Sequence, residues 1–590
     1  MQPSGEDTPP GLRPSGQSGE GGGGRGKARL IVPIVVVVAV VAAVVVAVVA
    51  SGGSDNGKAS STTTVVASKG ATNAASATLL PPALSYAKAK AEGKADTIDW
   101  GNRCDTDLGL LALPLFPQQQ CFAPFKGDNG GATTTGVTGD TIKVVVYLAQ
   151  ANDPVLKFIY SQIQNNDTPT QTFATYEGYN EMFSKYYETY GRKVQMIRFD
   201  ATGTVSDSVA ATADAETIAH DIKPFMVFGG PILTNAFADT LAQNKVMCVS
   251  CTPGQPAQWY IDRAPYVWDI LASPEERQLM VAEYLGKRLA NRDAIHAGDP
   301  TMHDKKRVLG LISINSSDQS KQLRDEFTKL LKDKYGVEFA SIQTYNLPTE
   351  LAGTGRDIIS QMKQAGVTSV VFDGDPLAPQ TLTKIAAQQN YFPEWIITGS
   401  LLVDTQAFSR TYDQSEWKNA FGPSALFARI DPNKAGALYL YNWYYGKPAP
   451  ADQSTPVIVP NVQFLYNALQ PLGSQVTPDN FQKVYFGGAI IPSTPVTPQI
   501  SYGNRGFFPF TDYAALDDMT EVWWDPTATG LDELGRQGTG MWQFVDGGKR
   551  YLPGQWPTTA PKVFDPAGAV TIYNQPPPEA QIKNDYQPLR

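Results

Sequence analysis

Residues 142–148 read IKVVVYL, and residues 175–199 read TYEGYNEMFSKYYETYGRKVQMIRF. The first is an unbroken β-branched run, the pattern of a strand buried on both faces. In the second, Tyr176, Tyr179, Phe183, Tyr186, Tyr187 and Tyr190 recur every three or four positions, on one face of a helix. Gly191 stands where a C-cap would end that helix, and Val194–Phe199 reads as the next strand. Strand, helix, strand predicts a parallel pair joined by a right-handed crossover.

The rhythm continues on the C-terminal side. Ser208–Ile222 reads as a helix of small residues, Phe225–Phe228 as a strand running into Gly229-Gly230-Pro231, Thr234–Asn244 as a helix and Val246–Ser250 as a strand. It then restarts with a helix over Glu275–Leu289 and a strand over Val308–Ser313. Leu323, Phe327, Leu330 and Leu331 mark a helix face, Phe339–Tyr345 is extended, and Ile358, Ile359 and Met362 mark a short helix. Val370–Phe372 and Trp395–Thr398 read as strands around a helix near Gln380–Gln389. Two successive sets predict two doubly wound α/β lobes of similar build. Ala435–Tyr445 and Asn461–Leu472 read as helices, and the Pro-, Gly- and Trp-rich residues 490–590 as strands and loops packed on the lobes.

The chain has 590 residues and a formal net charge of -9, with 42% apolar and 18% charged residues. That supports a sizeable core, and the acidic balance argues against a nucleic-acid partner. Only 3 His and 4 Cys argue against a His-rich metal site or His-based catalysis. Neither G-x-S-x-G nor H-E-x-x-H occurs. His220 beside Asp221 reads as surface polar, and His296 and His303 as solvated loop residues. Gly21–Lys27 matches the start of a phosphate-binding loop, but Ala28 replaces the magnesium-ligating hydroxyl and no strand precedes it. No cofactor, metal or catalytic set is expected.

Residues 1–29 are low in complexity and predict a disordered tail. Leu30–Ala50 is apolar and uncharged, and at about 1.5 Å per residue a helix of that length spans about 31 Å, a bilayer core. Arg13, Arg25, Lys27 and Arg29 precede it and only Lys58 follows closely, so the positive-inside rule puts the tail in the cytoplasm and the rest outside. A signal peptide cleaved after Val48-Val49-Ala50 is the rival reading. The stretch exceeds the usual signal core, which favours an uncleaved signal anchor. Residues 51–140 divide into a Ser/Thr/Ala/Gly-rich tether and a small module in which Cys104 and Cys121 are expected to pair, worth about 3 kcal/mol by chain entropy. Cys248 and Cys251 form a C-x-x-C at a strand end. Redox, zinc, buried thiols or a local structural bridge all fit that motif, the last two best.

The helix-and-strand stretch at 175–199, the FGGP turn at 228–231, VSCTP at 249–253 and KKRVLGLIS at 305–313 resemble the type I periplasmic-binding-protein family. They are most similar to its leucine/isoleucine/valine-binding branch, and GRQGTGMWQFVDGGKRYLPGQWP at 535–557 to the C-terminal segments of actinobacterial members. The resemblance covers roughly 140–560. It implies two hinged lobes joined by three crossovers, with lobe one at 141–272 plus about 400–510 and lobe two at 273–399 plus about 511–560. Residues 561–590 would form a Pro-rich tail. It implies a small-molecule ligand, no enzyme activity and an ABC transporter permease as partner.

Carried over by position, the implied ligand residues are Gly230, Ser250 and Thr252 in lobe one, and Asp375 and Ser400 in lobe two. All follow strand ends, where open α/β sheets bind ligands. Hydroxyls suit a ligand carboxylate and Asp375 suits an ammonium group. Each has a plainer alternative: a turn for Gly230, Asp375 and Ser400, and caps for Ser250 and Thr252. Tyr147 either walls the cleft or belongs to the core. Lobe two starts a helix with Asn315-Ser316-Ser317-Asp318 where relatives carry Tyr-Gly, a departure from ordinary amino acid specificity. The expected function is capture of a small polar metabolite for import, with a ligand-sensing receptor and a cell-surface hydrolase as alternatives.

Overall fold

The structure is a computed structural model and describes residues 78–590 apart from positions 316 and 582. The expected tail, apolar anchor and most of the tether lie outside the described residues. Among the described residues no helix is long and apolar enough to cross a membrane.

Five strands form the first sheet: β1 (Thr141–Leu148), β2 (Lys193–Asp200), β3 (Met226–Phe228), β4 (Met247–Val249) and β5 (Val267–Trp268). All pair in parallel, in the order β2-β1-β3-β4-β5. Val144 and Val145 of β1 are fully buried on opposite faces, as a strand covered by helices on both sides requires. The longer helices between these strands are α1 (Pro154–Ile163), α2 (Pro169–Tyr186), α3 (Ser208–Thr217) and α4 (Ala236–Gln243), and a short turn of helix spans Ala257–Ile261. A capping box of Thr168 and Gln171, with Pro169 in the first turn, starts α2. The helix stops at Tyr186, five residues before Gly191. There the Glu188 carboxylate accepts from Tyr190 N and, through its other oxygen, from Phe125 N and Arg103. The chain leaves the helix to make these bonds, and Gly191 serves the following turn at φ +80°.

The second sheet repeats the order. β6 (Leu309–Ile314), β7 (Ser341–Tyr345), β8 (Ser369–Asp373), β9 (Glu394–Ile397) and β10 (Ala420–Ser424) pair in parallel as β7-β6-β8-β9-β10. β11 (Met519–Leu531) joins β10 antiparallel, and β12 (Gln537–Phe544) continues from β11. Helices α5 (Pro274–Tyr284), α6 (Asp318–Tyr335), α7 (Leu351–Gln364) and α8 (Ala378–Gln388) accompany it.

The sequence reading puts about 400–510 in the first lobe. The structure corrects this: Trp395 and Ile396 pair with Ala420 and Phe421, so the chain stays with the second sheet through Ser424. Gly422-Pro423 hides the strand in the sequence. A Cβ at Gly422 would lie 2.3 Å from Ile397 O, so glycine is what lets β10 approach β9. The chain then returns, and α9 (Gly436–Tyr445), α10 (Thr455–Leu472) and α11 (Pro478–Phe486) pack into the core around the first sheet.

Three connections therefore link the sheets, after β5, after β10 and before β11. The first and third are bonded to each other, Asp269 N to Tyr513 O at 2.9 Å and Ala515 N to Leu271 O at 3.0 Å. Arg550 ties in the second: it donates to Asp518 Oδ1 at 2.8 Å and to the Ala425 and Leu426 carbonyls. The module at 78–140 and the last residues of the tail pack on the first-sheet side, whereas Val563 and Phe564 at its start pack on the second-sheet core. Cys104 and Cys121 are disulfide-bonded with Cα atoms 5.6 Å apart, and Tyr586 donates to Asp105 at 3.0 Å.

Glu276, in α5 just after the first connection, and Asp512, in the third, are both buried and in contact. Burial pushes the Glu276 carboxyl up from 4.5 to about 7, and burial together with Glu276 holds Asp512 well above the usual carboxylate range. The protonated form stabilises the fold, fully below about pH 4.5, and that stability is lost as pH rises through about 7. Glu276→Gln keeps the Ser273 N–H bond and is neutral throughout. Thermal midpoints of the variant should fall less than those of the wild type between about pH 5 and pH 8. Parallel pH profiles would disprove the upward shift of Glu276.

Candidate functional site

A cavity of about 810 Å³ opens at the carboxyl edge of the first sheet. Its floor is made by the segments leaving successive strands: Tyr147 to Gln150 from β1, Gly229-Gly230 from β3, Ser250 from β4 and Ile270-Leu271 from β5. It lies where β1 and β3 send their connections to opposite sides, the place at which open α/β sheets leave a crevice. The far walls are α1 with the loop to α2, and one side of α10.

Tyr147, Gly230 and Ser250 come together here. The Tyr147 ring stacks on Phe199 at 5.8 Å and its hydroxyl donates to Asp214 Oδ2 at 2.9 Å. Burial, then the Asp214 charge, pushes that phenol far up, so Tyr147 is a fixed neutral wall. At Gly230 a Cβ would stand 2.6 Å from Cys251 O and 3.0 Å from the Phe237 ring. Its own N–H finds no acceptor among the described residues, which leaves a free donor at the cavity floor. Ser250 sits at φ +55° and donates to Asn461 Oδ1 at 3.1 Å, while Asn461 Nδ2 donates to the Tyr176 hydroxyl at 3.1 Å.

Thr252, Asp375 and Ser400 do not line this cavity. The Thr252 hydroxyl is buried and donates to Thr234 O at 3.3 Å. Asp375 is fully buried. It accepts from Leu377 N at 2.8 Å and Ala378 N at 3.1 Å, which caps α8, and from the Tyr345 hydroxyl at 2.6 Å. Ser400 staples two turns together, accepting from Gly374 N at 3.2 Å and donating to Gly374 O at 3.0 Å. These three residues hold loops at strand ends in shape.

Asn461 and Tyr176 are the polar residues that sequence reasoning missed. The pattern suggests that α10 begins at Asn461, whereas it begins at Thr455 and runs through Pro460. A buried amide in a largely apolar helix is the signal that could have found it, though α10 buries Gln470 as well. On the second sheet, Arg277 pairs with Asp373 at the end of β8, and Thr398 donates to Asp373 at 2.9 Å. Arg536, held by Asp532 at 2.8 Å, reaches from the β11–β12 hairpin to the carbonyl of Ile163 at the end of α1. One cavity wall is thereby joined to the second sheet.

The cavity lining holds neither His nor Cys. His220 is exposed against Glu216, and His303 meets Ala297 O at 2.7 Å. His296 is pushed down to about 4 by burial and is neutral. The lining does carry Lys157, and Asp167, which accepts from Ser454 N at 2.6 Å and is pushed up by burial. Its donors, acceptors and apolar walls suit reversible binding.

No family model and no curated protein matches the sequence. Solved structures do match. A solute binding protein of an ABC transporter from Rhodopseudomonas palustris BisB5, in complex with 3,4-dihydroxybenzoic acid, is 13% identical over 68% of this chain and 97% of that one, with TM-score 0.46. A branched-chain amino acid transporter substrate binding protein from Streptococcus pneumoniae, in complex with isoleucine, is 14% identical over 69% and 100%, with TM-score 0.44. A fatty acid ABC transporter substrate-binding protein from Thermomonospora curvata is 14% identical over 73% and 96%, with TM-score 0.44. The chain is similar to these.

Gly230→Ala tests how tightly the floor is built. The added methyl meets backbone at Cys251, which cannot rotate away, so the variant should lose about 1–3 kcal/mol in urea denaturation. An unchanged midpoint would show that the β3 and β4 turns are not in contact.

Proposed function

We propose that this protein is an extracytoplasmic solute-binding receptor for an ABC-type importer. It takes a small organic acid or amide into the first-sheet cavity, closes its second lobe over it about the three connections, and releases it unaltered to a permease. The apolar segment at 30–50 would anchor it, leaving the lobes outside the membrane. The observation that carries this reading is the repeated strand order in two sheets joined by three connections, with the cavity at the switch point of one sheet. A molecule seated there gives the other half a surface to close on. Closure is then driven by its higher affinity for the closed state.

The walls favour an acid or amide with an apolar body over a simple amino acid. The acid that the resemblance assigns to an ammonium group, Asp375, is bonded to its own helix start. Ser250, Asn461 and the Gly230 N–H offer neutral hydrogen bonds among Tyr147, Tyr176 and Ile270. About 810 Å³ is toward the upper end of small-molecule pockets, which run roughly 300–1,000 Å³.

Isothermal titration of the full chain against isoleucine, its amide, 4-hydroxybenzoate and hexanoate, with native mass spectrometry for a copurified solute, tests the proposal. At least one acid or amide should bind. Ser250→Ala and Asn461→Ala should each weaken it about tenfold, close to 1.4 kcal/mol, what a buried hydrogen bond contributes. A well-folded protein that binds none of these and carries no solute would sink the receptor reading.

A further inference from the structure

The C-x-x-C of the sequence lies directly under this cavity. Cys248 is the middle residue of β4 and Cys251 stands three residues on, in the turn leaving its carboxyl end. They are disulfide-bonded, fully buried, with Cα atoms 5.9 Å apart. The bridge spans Val249 and Ser250. Ser250 has the left-handed φ of +55° that residues with a side chain avoid. In that conformation it starts the hydrogen-bonded row Ser250–Asn461–Tyr176, every member of which lines the cavity. On its other side the bridged loop presents Cys251 O against Gly230, close enough to exclude a Cβ. One short loop therefore fixes both the hydroxyl row and the Gly229-Gly230 turn.

We propose that the Cys248–Cys251 disulfide is a positioning element of the ligand site, holding Ser250 in its left-handed conformation and thereby setting the affinity of the cavity. The inference rests on reading the cavity as the ligand site. Neither cysteine lines it, so both act through Ser250 and the Gly229-Gly230 turn. Breaking the bridge with a dithiol consumes two electrons and two protons, leaves two thiols, and converts the reductant to its cyclic disulfide.

Magnitude separates this role from bulk stabilisation. The constraint on the unfolded chain grows with the logarithm of loop length. A bridge across a separation of 3 residues constrains it less than the Cys104–Cys121 bridge across 17. Loss of the short bridge should disturb the site more than the melting point, and loss of the long one the reverse.

The test compares the full chain with two double variants, Cys248→Ala/Cys251→Ala and Cys104→Ala/Cys121→Ala. Alkylation of the unreduced, unfolded wild type should detect no free thiol. In the first variant, hydrogen exchange in peptides spanning 229–230 and 250–254 should quicken at least tenfold. Its exchange elsewhere should be unchanged and its melting point should move less than that of the second variant. The affinity for whichever of 4-hydroxybenzoate, hexanoate, isoleucine or its amide the wild type binds should fall about tenfold. Free thiols in the wild type, unchanged exchange at the site, or loosening spread over the whole chain would each overturn the proposal. Quickened local exchange in a protein that binds no solute would remove the ligand reading and leave the positioning role standing. Unchanged exchange with intact binding would remove the positioning role alone.

Discussion

A parallel sheet sends every strand off the same edge, and that constraint shapes this molecule. At the carboxyl edge the chain must turn outward toward a helix, so it leaves N–H groups and helix starts pointing into a common space. Order 2-1-3-4-5 adds a gap where neighbouring connections part to opposite sides. The cavity occupies that gap in the first sheet. In the second sheet the opposite edge is sealed by charge. Arg307, just before β6, makes a two-pronged bond to Glu394 at the start of β9, at 2.7 and 2.8 Å. Glu394 also accepts from Ser369 at 2.6 Å and from His296 N at 3.1 Å. Breaking such a buried pair costs about 3–5 kcal/mol, because the partner left behind stays charged and dry. The amino edge is thus locked, while the carboxyl edge of the first sheet keeps its cavity open.

The same principle joins the chain's outlying parts to its core. Arg192 is buried and donates to the carbonyls of Thr138, Asn129, Gly131 and Ser474. That places the start of β1, the preceding module and the end of α10 around a single guanidinium. Its planar fork can satisfy several carbonyls at once in a way an ammonium group cannot. Trp268, at the end of β5, packs against Phe464 of α10, Phe481 of α11 and Tyr513 of the third connection. Returning helices and connection are therefore fixed by the strand that ends beside them.

Elements with strong periodicity were legible in the sequence. The β-branched run of β1 lies where the pattern puts it, because burial on both sides of a sheet leaves such residues little choice. The tyrosine face of α2 does so as far as Tyr186, with Tyr187 and Tyr190 buried beyond the helix end. β10 was not legible, since Gly422-Pro423 is a breaker in isolation and becomes a strand only against Ile397. At the site, Gly230 and Ser250 could be found from strand-end position alone. Thr252, Asp375 and Ser400 share that position but face inward, and nothing in their spacing tells which way a turn points. Asn461 comes from a helix more than two hundred residues downstream of β4 in the chain, and only the return of α10 to the first sheet brings it to Ser250.

The carboxylates that flank the cavity decide between binding and chemistry. Asp153 accepts from Val155 N, Leu156 N and Val205 N at 2.8–2.9 Å, and so starts α1. Asp214 accepts from Tyr147, from the Thr202 hydroxyl at 2.6 Å and from Thr202 N at 3.1 Å. Asp269 accepts from the Tyr260 hydroxyl and from the N–H groups of Gly254, Ile270 and Leu271. A general acid and base would need two carboxyls whose surroundings push their proton affinities apart while leaving an oxygen free for the substrate. Here these acids' bonds go to helix starts, to the Tyr147 and Tyr260 hydroxyls and to turns around the cavity. What faces inward is a free amide N–H, a hydroxyl–amide–phenol row and apolar walls, with Lys157 of α1 and Asp167 of the loop after it also in the lining. Such a surface can hold a molecule and let it go.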